Sequence, residues 1–300
     1  MIKFNQAELK RYEYYVAERW AIQQRREAGQ LKTWTKDKIL QTYKFCCVRR
    51  EDDRVTIWIK EHIREPFEGH PHLWFMLAAA RQINWPDTLQ ELIHDRKGAW
   101  PNRTTWSPER MREVMRARQE RGEKLYTGAY MINAQYGKET QLASDKAYFT
   151  AHLTLGKLWD DRKSIPVDIR AWKTLESAHV ILKRYRGWGD FLAAQVVADW
   201  KHTHILEDAP DWWDWAVLGP GSIKGLNYLV QRPETNRKSP LKQPWKPAEA
   251  IEALQELRRV ARLPVKLCLQ DMQNLACEYS KYRRTELGTG RPRSYYEGGA

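Results

Sequence analysis

YRGWGDFLAAQVVADW, residues 185–200, sets two glycines around a tryptophan and follows them at once with an apolar run that ends in Asp199 and Trp200. Helical spacing upstream, over residues 167–186, runs into Gly187. A glycine there can end a helix in the left-handed conformation. Gly189 frees the backbone again, and Asp190 can cap the helix that follows. The segment therefore reads as helix, glycine turn, helix. Such a turn aims backbone N–H groups outward beside a helix N-terminus, which suits a DNA phosphate. Gly187, Trp188 and Gly189 are accordingly candidate DNA contacts. The plain alternative is an αα-hairpin that only packs.

Working outward, helical spacing continues through the chain. Residues 6–28 place Leu9, Tyr12, Tyr15, Val16 and Trp20 on related faces. Thr35 can cap a helix reaching Lys44. Residues 54–63 read as helix, although their β-branched content leaves a strand open. Helices are expected near 71–81, 87–95, 107–121, 145–160, 224–231, 248–262 and 266–284. Residues 201–223 are loop-rich, and 231–247 form a basic, proline-rich linker. No segment alternates cleanly enough to build a sheet, so the expected class is all-α. The expected organisation is one helical domain, or two lobes of about 1–165 and 166–285 with an active cleft between them, and a frayed tail over 286–300.

The charge balance narrows the partners. Fifty-one Lys and Arg against 38 Asp and Glu leave +13 over 300 residues. A surplus of that size favours a polyanion, because each neutralised phosphate releases a counterion. Fifteen Trp and 14 Tyr outnumber 6 Phe, a load that serves base stacking as well as a core. Cys46, Cys47, Cys268 and Cys277 form no C-x-x-C pair, and no secretory or spanning segment is read, so free thiols in a reducing compartment are expected. His70 with His72 and His202 with His204 lack a third ligand nearby in sequence, so no metal site is expected.

Helix-hairpin-helix DNA glycosylases carry a Gly-x-Gly turn, an apolar helix and, about twenty residues on, a catalytic aspartate. Asp211 and Asp214 lie in about that place here. The lysine of the bifunctional enzymes is replaced by Asp190, so Schiff-base lyase chemistry is not expected. Four further segments point to a narrower family. They are CVRREDDRVTIWI (47–59), GWGDFLAAQVVADW (187–200), WAVLGPGSIKGLN (215–227) and LQDMQNLACEYSKYRR (269–284). Together they resemble the α-glutamyl/putrescinyl-thymine pyrophosphorylase group. That group includes the phage amino acid:DNA transferases and the helical domain associated with hydroxymethyluracil DNA kinases. Each motif alone is unspecific; four in order carry the resemblance. One departure is Asp190, where the family has proline.

The resemblance implies a DNA-glycosylase-like helical fold and a role in phage thymidine hypermodification, in the cytoplasm of the infected bacterium. The implied reaction displaces phosphate or pyrophosphate from a 5-(phospho)methyl-deoxyuridine in double-stranded DNA, made by a hydroxymethyluracil DNA kinase. The nucleophile would be the amine of an amino acid, glycine first among them, or of a polyamine. No cofactor is implied, and assistance by a divalent metal is left open. The leaving group needs cations and oriented N–H groups, for which Arg50 and Arg54 are the first candidates and Lys224 with the backbone after Gly221 the second. The ammonium must lose a proton to a base, and Asp53, Asp199 and Asp214 are the candidates. Gln195 offers a donor and an acceptor to a uracil edge. Asn227, Tyr130 and Asn133 are further substrate candidates, and Gly219, Gly221, Lys281 and Arg284 further DNA candidates. Lys281, Arg283 or Arg284 could equally hold an amino acid carboxylate. The Trp-rich loop at 211–215 could stack on an extruded base. Against the transferase stand a monofunctional glycosylase and a non-catalytic DNA-binding module. For most of these residues a cap or an ion pair is the plainer alternative.

Overall fold

The computed structural model describes residues 2–30, 34–128, 145–230 and 244–296. Among these residues the regular structure is helical, with two isolated antiparallel bridges, Phe4 with Val230 and Tyr43 with Tyr295. No helix among them is long and apolar enough to cross a membrane. The chain divides into two compact units, Met1–Asp53 with Trp213–Ala300, and Arg54–Trp212. This division differs from the expected lobes. The first 53 residues belong with the C-terminal helices, an association over more than 200 residues of sequence that local periodicity does not encode.

The first unit holds α1 (Gln6–Glu27), α2 (Lys38–Thr42), α12 (Pro220–Leu229), α13 (Pro247–Val260) and α14 (Leu269–Glu286). Asn5 caps α1 and Asp37 caps α2, each through two backbone N–H groups. The buried face of α1 presents Tyr12 and Tyr15 to Tyr279 and Tyr282 of α14, with Val16, Ile22 and Phe45 in the same core. Tyr12 meets Tyr279 edge to face at 5.3 Å, one of the favoured arrangements of a ring pair. Helices α12 and α14 cross closely because their contact is built from small residues. A Cβ on Gly225 would stand 2.0 Å from the Ala276 carbonyl oxygen, and one on Gly221 2.3 Å from the Cys277 sulfur. The tail is not frayed through residue 296. Lys44 N–H donates to the Ser294 carbonyl and Tyr296 N–H to the Thr42 carbonyl.

The second unit is centred on α4 (Leu73–Ile83), whose every residue is buried. Around it stand α3 (Arg54–Ile59), α5 (Pro86–His94), α6 (Pro108–Glu120) and α7 (Lys146–Tyr148), followed by a wide-turned segment, Phe149–Leu155. α8 (Gly156–Asp160), α9 (Ile165–Trp172), α10 (Leu175–Lys183) and α11 (Asp190–Trp200) complete it. Residues 54–64 are helical, with wider turns over Lys60–Arg64, so the strand alternative fails there. The single helix expected over 167–186 is broken. Lys173 turns left-handed at φ 53°, and Thr174 caps a new helix by accepting from Ser177 N–H. Phe75, Trp106 and Trp159 form one aromatic cluster, and the Trp200 indole N–H donates to the Trp74 carbonyl. Much of the tryptophan load is therefore core.

The opening segment folds as helix, turn and helix. Gly187 has φ +87°, and a Cβ there would stand 2.3 Å from the Thr154 methyl. Both the backbone angle and the packing require glycine.

Candidate functional site

Several sequence candidates meet in the first unit, where the segment after α2 lies on α14. Asp271 organises the junction. One carboxylate oxygen accepts from Cys268 N–H at the start of α14, and the other accepts from Arg50 N–H at 2.9 Å. This places the short 3₁₀ turn Arg50–Asp52 against the helix start. Arg49 braces the turn through a two-pronged pair with Asp52 at 2.9 and 2.8 Å. The Cys47 thiol donates to the Asp52 carbonyl. Arg50 is half-buried, and its guanidinium lies 3.6 Å from Glu51.

Two turns along α14, buried Glu278 accepts from Cys46 N–H at 3.2 Å and pairs with Lys281. Burial alone would lower the Lys281 ammonium; the Glu278 carboxylate outweighs it and raises the group above its ordinary value. Lys281 is thus held as a cation. Cys277 lies beside this pair, facing Gly221. Burial, then Glu278, pushes its thiol up, while Lys281, Arg284 and Lys224 act on it in the opposite direction. Lys224 of α12 and Lys281 and Arg284 of α14 thus all act electrostatically on the Cys277 thiol, which faces the crossing of the two helices. Burial and then the Asp53 carboxylate push the Cys47 thiol up to about 11, so it is protonated and unreactive near neutrality. Asp53 is exposed at the end of the turn.

The close crossing explains the glycine loop. Gly219 stands in open space before α12, and Pro220 occupies its first turn, which needs no N–H donor. Ser222 is buried and accepts from the Gln273 amide at 2.6 Å. Gly221, named as a DNA contact, packs against Cys277, where a Cβ would stand 2.3 Å from the sulfur. Asn227 is half-buried and accepts from the Trp245 indole N–H at 2.6 Å.

Other candidates lie elsewhere. Arg54 opens α3 in the second unit and is exposed. Gln195 is half-buried on α11, one turn before Asp199. Asp199 is fully buried, and its carboxylate is committed to Arg81, so it is corrected from candidate base to structural partner. Asp214 belongs to the first unit, pairs with Arg258 of α13 and lines a groove of about 700 Å³ with Glu252, Glu256 and Arg259. Asp211 accepts from Leu175 and Glu176 N–H, which makes it a cap of α10.

The hairpin also differs from its expected use. Trp188 is 2 % exposed and belongs to the core, so its ring is withdrawn as a DNA contact. Gly187 is turned against Thr154, while Gly189 stands in open space. Asp190 pairs with Lys183, leaving a carboxylate at the helix start where phosphate was expected. Of the Trp-rich loop, the Trp212 indole donates to the Lys201 carbonyl, Trp215 is buried, and Trp213 lies under Lys266. Tyr130 and Asn133 lie outside the described residues.

Asp271 and Glu278 stand in the closing-helix motif without a role assigned from sequence, and Gln273 was not singled out. A signal existed for Glu278: it stands on the buried face of a periodic helix with a lysine three residues later.

A family model described as "5-hmdU DNA kinase, helical domain" matches residues 6–291. A 5-hmdU DNA kinase of Bacillus phage SP10 is 26 % identical over 216 residues, covering 68 % of this chain and 33 % of that protein. The match thus spans about a third of the relative's length. No solved structure matches. The match over 6–291 takes in α1, the segment on α14 and the α12–α14 crossing, and on it the chain belongs to the 5-hmdU DNA kinase helical-domain family.

Proposed function

We propose that this protein takes part in phage hydroxymethyluracil DNA modification as an amino acid:DNA transferase of the α-glutamyl/putrescinyl-thymine pyrophosphorylase kind. It would act in the cytoplasm of the infected host, downstream of a hydroxymethyluracil DNA kinase. The substrate is a thymine whose C5 methylene carries phosphate or pyrophosphate. The amine nitrogen attacks that carbon, the C–O bond breaks, and the leaving group departs with the bonding pair. The ammonium gives its proton to a carboxylate.

The observation that carries this reading is that the segment ending in Arg50 and Asp53 lies on α14 through Asp271 and Glu278, where Lys224, Lys281 and Arg284 all act on the Cys277 thiol. Three cations suit a leaving phosphate or an amino acid carboxylate, since either brings negative charge to the site. Asp53, exposed at the end of the turn beside Arg50, is the proposed base, whereas Asp199 is buried away from solvent. The helix cap at Asp211 weakens the glycosylase reading. A second reading, a DNA-binding module that serves a kinase, is favoured by one observation: the matched model describes a domain of such kinases.

The test is an incubation of the protein with DNA carrying phosphorylated hydroxymethyluracil, the twenty amino acids and putrescine, followed by digestion and mass measurement of the nucleosides. An amine adduct at the C5 methylene, lost in Asp53→Asn and Lys281→Met, is expected. Unchanged nucleosides would transfer support to the binding module, and free base with abasic sites to the glycosylase.

A further inference from the structure

One surface of the first unit combines cations with aromatic rings outside the site just described. Arg26, near the end of α1, lies 5.1 Å from the Trp34 ring centre and 5.6 Å from that of Tyr296. Lys44 lies 5.8 Å from the same Tyr296 ring. Trp34 and Tyr296 are themselves 5.6 Å apart. Arg26 and Lys44 are both exposed, and among the described residues neither has a carboxylate within ion-pair distance. Their neighbours differ: Arg25 pairs with Glu18, and Arg49 pairs with Asp52.

A ring face fixes the direction of a guanidinium or ammonium without using its N–H donors. Arg26 and Lys44 are therefore held in place with charge and donors still available. The tail supplies one wall. Ser294 and Tyr296 pair with the backbone of Lys44 and Thr42, and the Tyr296 hydroxyl accepts from Arg19 at 3.3 Å. The same Arg19 donates to the carbonyls of Phe45 and Cys46, at the start of the site segment. Lys44 and Cys46 are two residues apart, so their Cα atoms lie within about 7 Å. The chain's net charge of +13 favours a polyanionic partner, and the two exposed cations here complement one.

We propose that Arg26 and Lys44, braced by Trp34 and Tyr296, form a clamp for the phosphodiester backbone of DNA, next to the segment that addresses the modified base. The partner rests on the function proposed above; the clamp itself is tested without that reaction. Contacts to phosphate, by charge or by N–H donors, carry no sequence information, so the clamp is indifferent to sequence.

The experiment is fluorescence anisotropy of the full chain with a labelled, unmodified 30-base-pair duplex over a series of KCl concentrations. The variants are Arg26→Gln with Lys44→Gln, the charge-keeping Arg26→Lys with Lys44→Arg, and Arg116→Gln, an exposed arginine paired with Glu120. Each variant's thermal midpoint is measured alongside. The double neutralisation should weaken binding about tenfold or more and lower the slope of log K against log salt by about two. The charge-keeping pair should recover most of that slope, and Arg116→Gln should leave it unchanged. An unchanged slope in a folded double neutralisation overturns the clamp, as does a wild-type chain that binds no duplex. Displacement of the duplex by millimolar inorganic phosphate at constant ionic strength also overturns it, in favour of a small-anion site. None of these outcomes decides the transfer reaction, which the nucleoside masses report separately.

Discussion

Arg81 and Asp199 face each other in a two-pronged ion pair, Nε to Oδ2 at 2.5 Å and an Nη to Oδ1 at 2.9 Å, with side chains 2 % and 0 % exposed. Arg81 also donates to Thr56 Oγ1 at 3.0 Å and Asn84 Oδ1 at 3.1 Å. Helices α3, α4 and α11 are thereby tied inside the second unit. Removing one partner strands the other charge away from water, which costs about 3–5 kcal/mol. Asp199→Asn should lower the urea midpoint steeply, and Arg81→Met with Asp199→Leu should lose less. If Asp199→Asn unfolded at the wild-type urea concentration, the pair would not be structural.

The α12–α14 crossing makes a second prediction. Gly225→Ala places a methyl 2.0 Å from the Ala276 carbonyl oxygen, so the helices must separate. Overpacking of this kind costs about 1–3 kcal/mol, and Lys224 would move relative to Lys281. Gly219→Ala meets nothing within 4 Å and should be tolerated. Thermal melts of the two variants should differ by several degrees; equal midpoints would show that the crossing is not tight.

Asp211 separates two chemistries. Accepting from the first N–H groups of α10 beside the Thr174 cap, it should contribute about 1 kcal/mol, so Asp211→Ala should melt slightly lower. Base release is not expected from either protein. Abasic sites formed by the wild type and lost in Asp211→Ala, with an unchanged melt, would restore the glycosylase.

Acid should loosen the first unit through Glu8. Burial would raise its carboxyl, but hydrogen bonds from Arg283 and Tyr279 and the Arg283 charge outweigh it and hold the group below the ordinary 4.5. Arg283 donates to both Glu8 oxygens, at 2.9 and 2.6 Å. A depressed carboxyl stabilises the fold above its unfolded value, and that share is lost as pH falls through the folded one. Glu8→Gln should therefore flatten the fall in stability below about pH 4.5. An acid limb as steep as in the wild type would assign that fall to other carboxylates.

Helical class was legible along the chain because burial on a helix repeats locally: Leu9, Tyr12, Tyr15 and Val16 of α1 are all core. The break at Lys173 was not, since no glycine or proline marks it. Arg50, Lys224, Lys281 and Arg284 could be named from motif order, yet nothing in their spacing says that they share a unit. Asp199 and Trp188 are buried for a reason their neighbours in sequence do not show. A buried aspartate and a core tryptophan look in sequence like a base and a stacking ring.

The sequence by itself determined the helical class, the glycine turn at Gly187 and the basic charge. These depend on neighbours within a few residues. Only the tertiary structure decided that residues 2–53 join the C-terminal helices, that Asp199 faces Arg81, and that Glu278 lies behind Lys281. Those outcomes depend on which buried surfaces meet across 100 residues or more, and there packing and the cost of an unpaired buried charge decide what each side chain does.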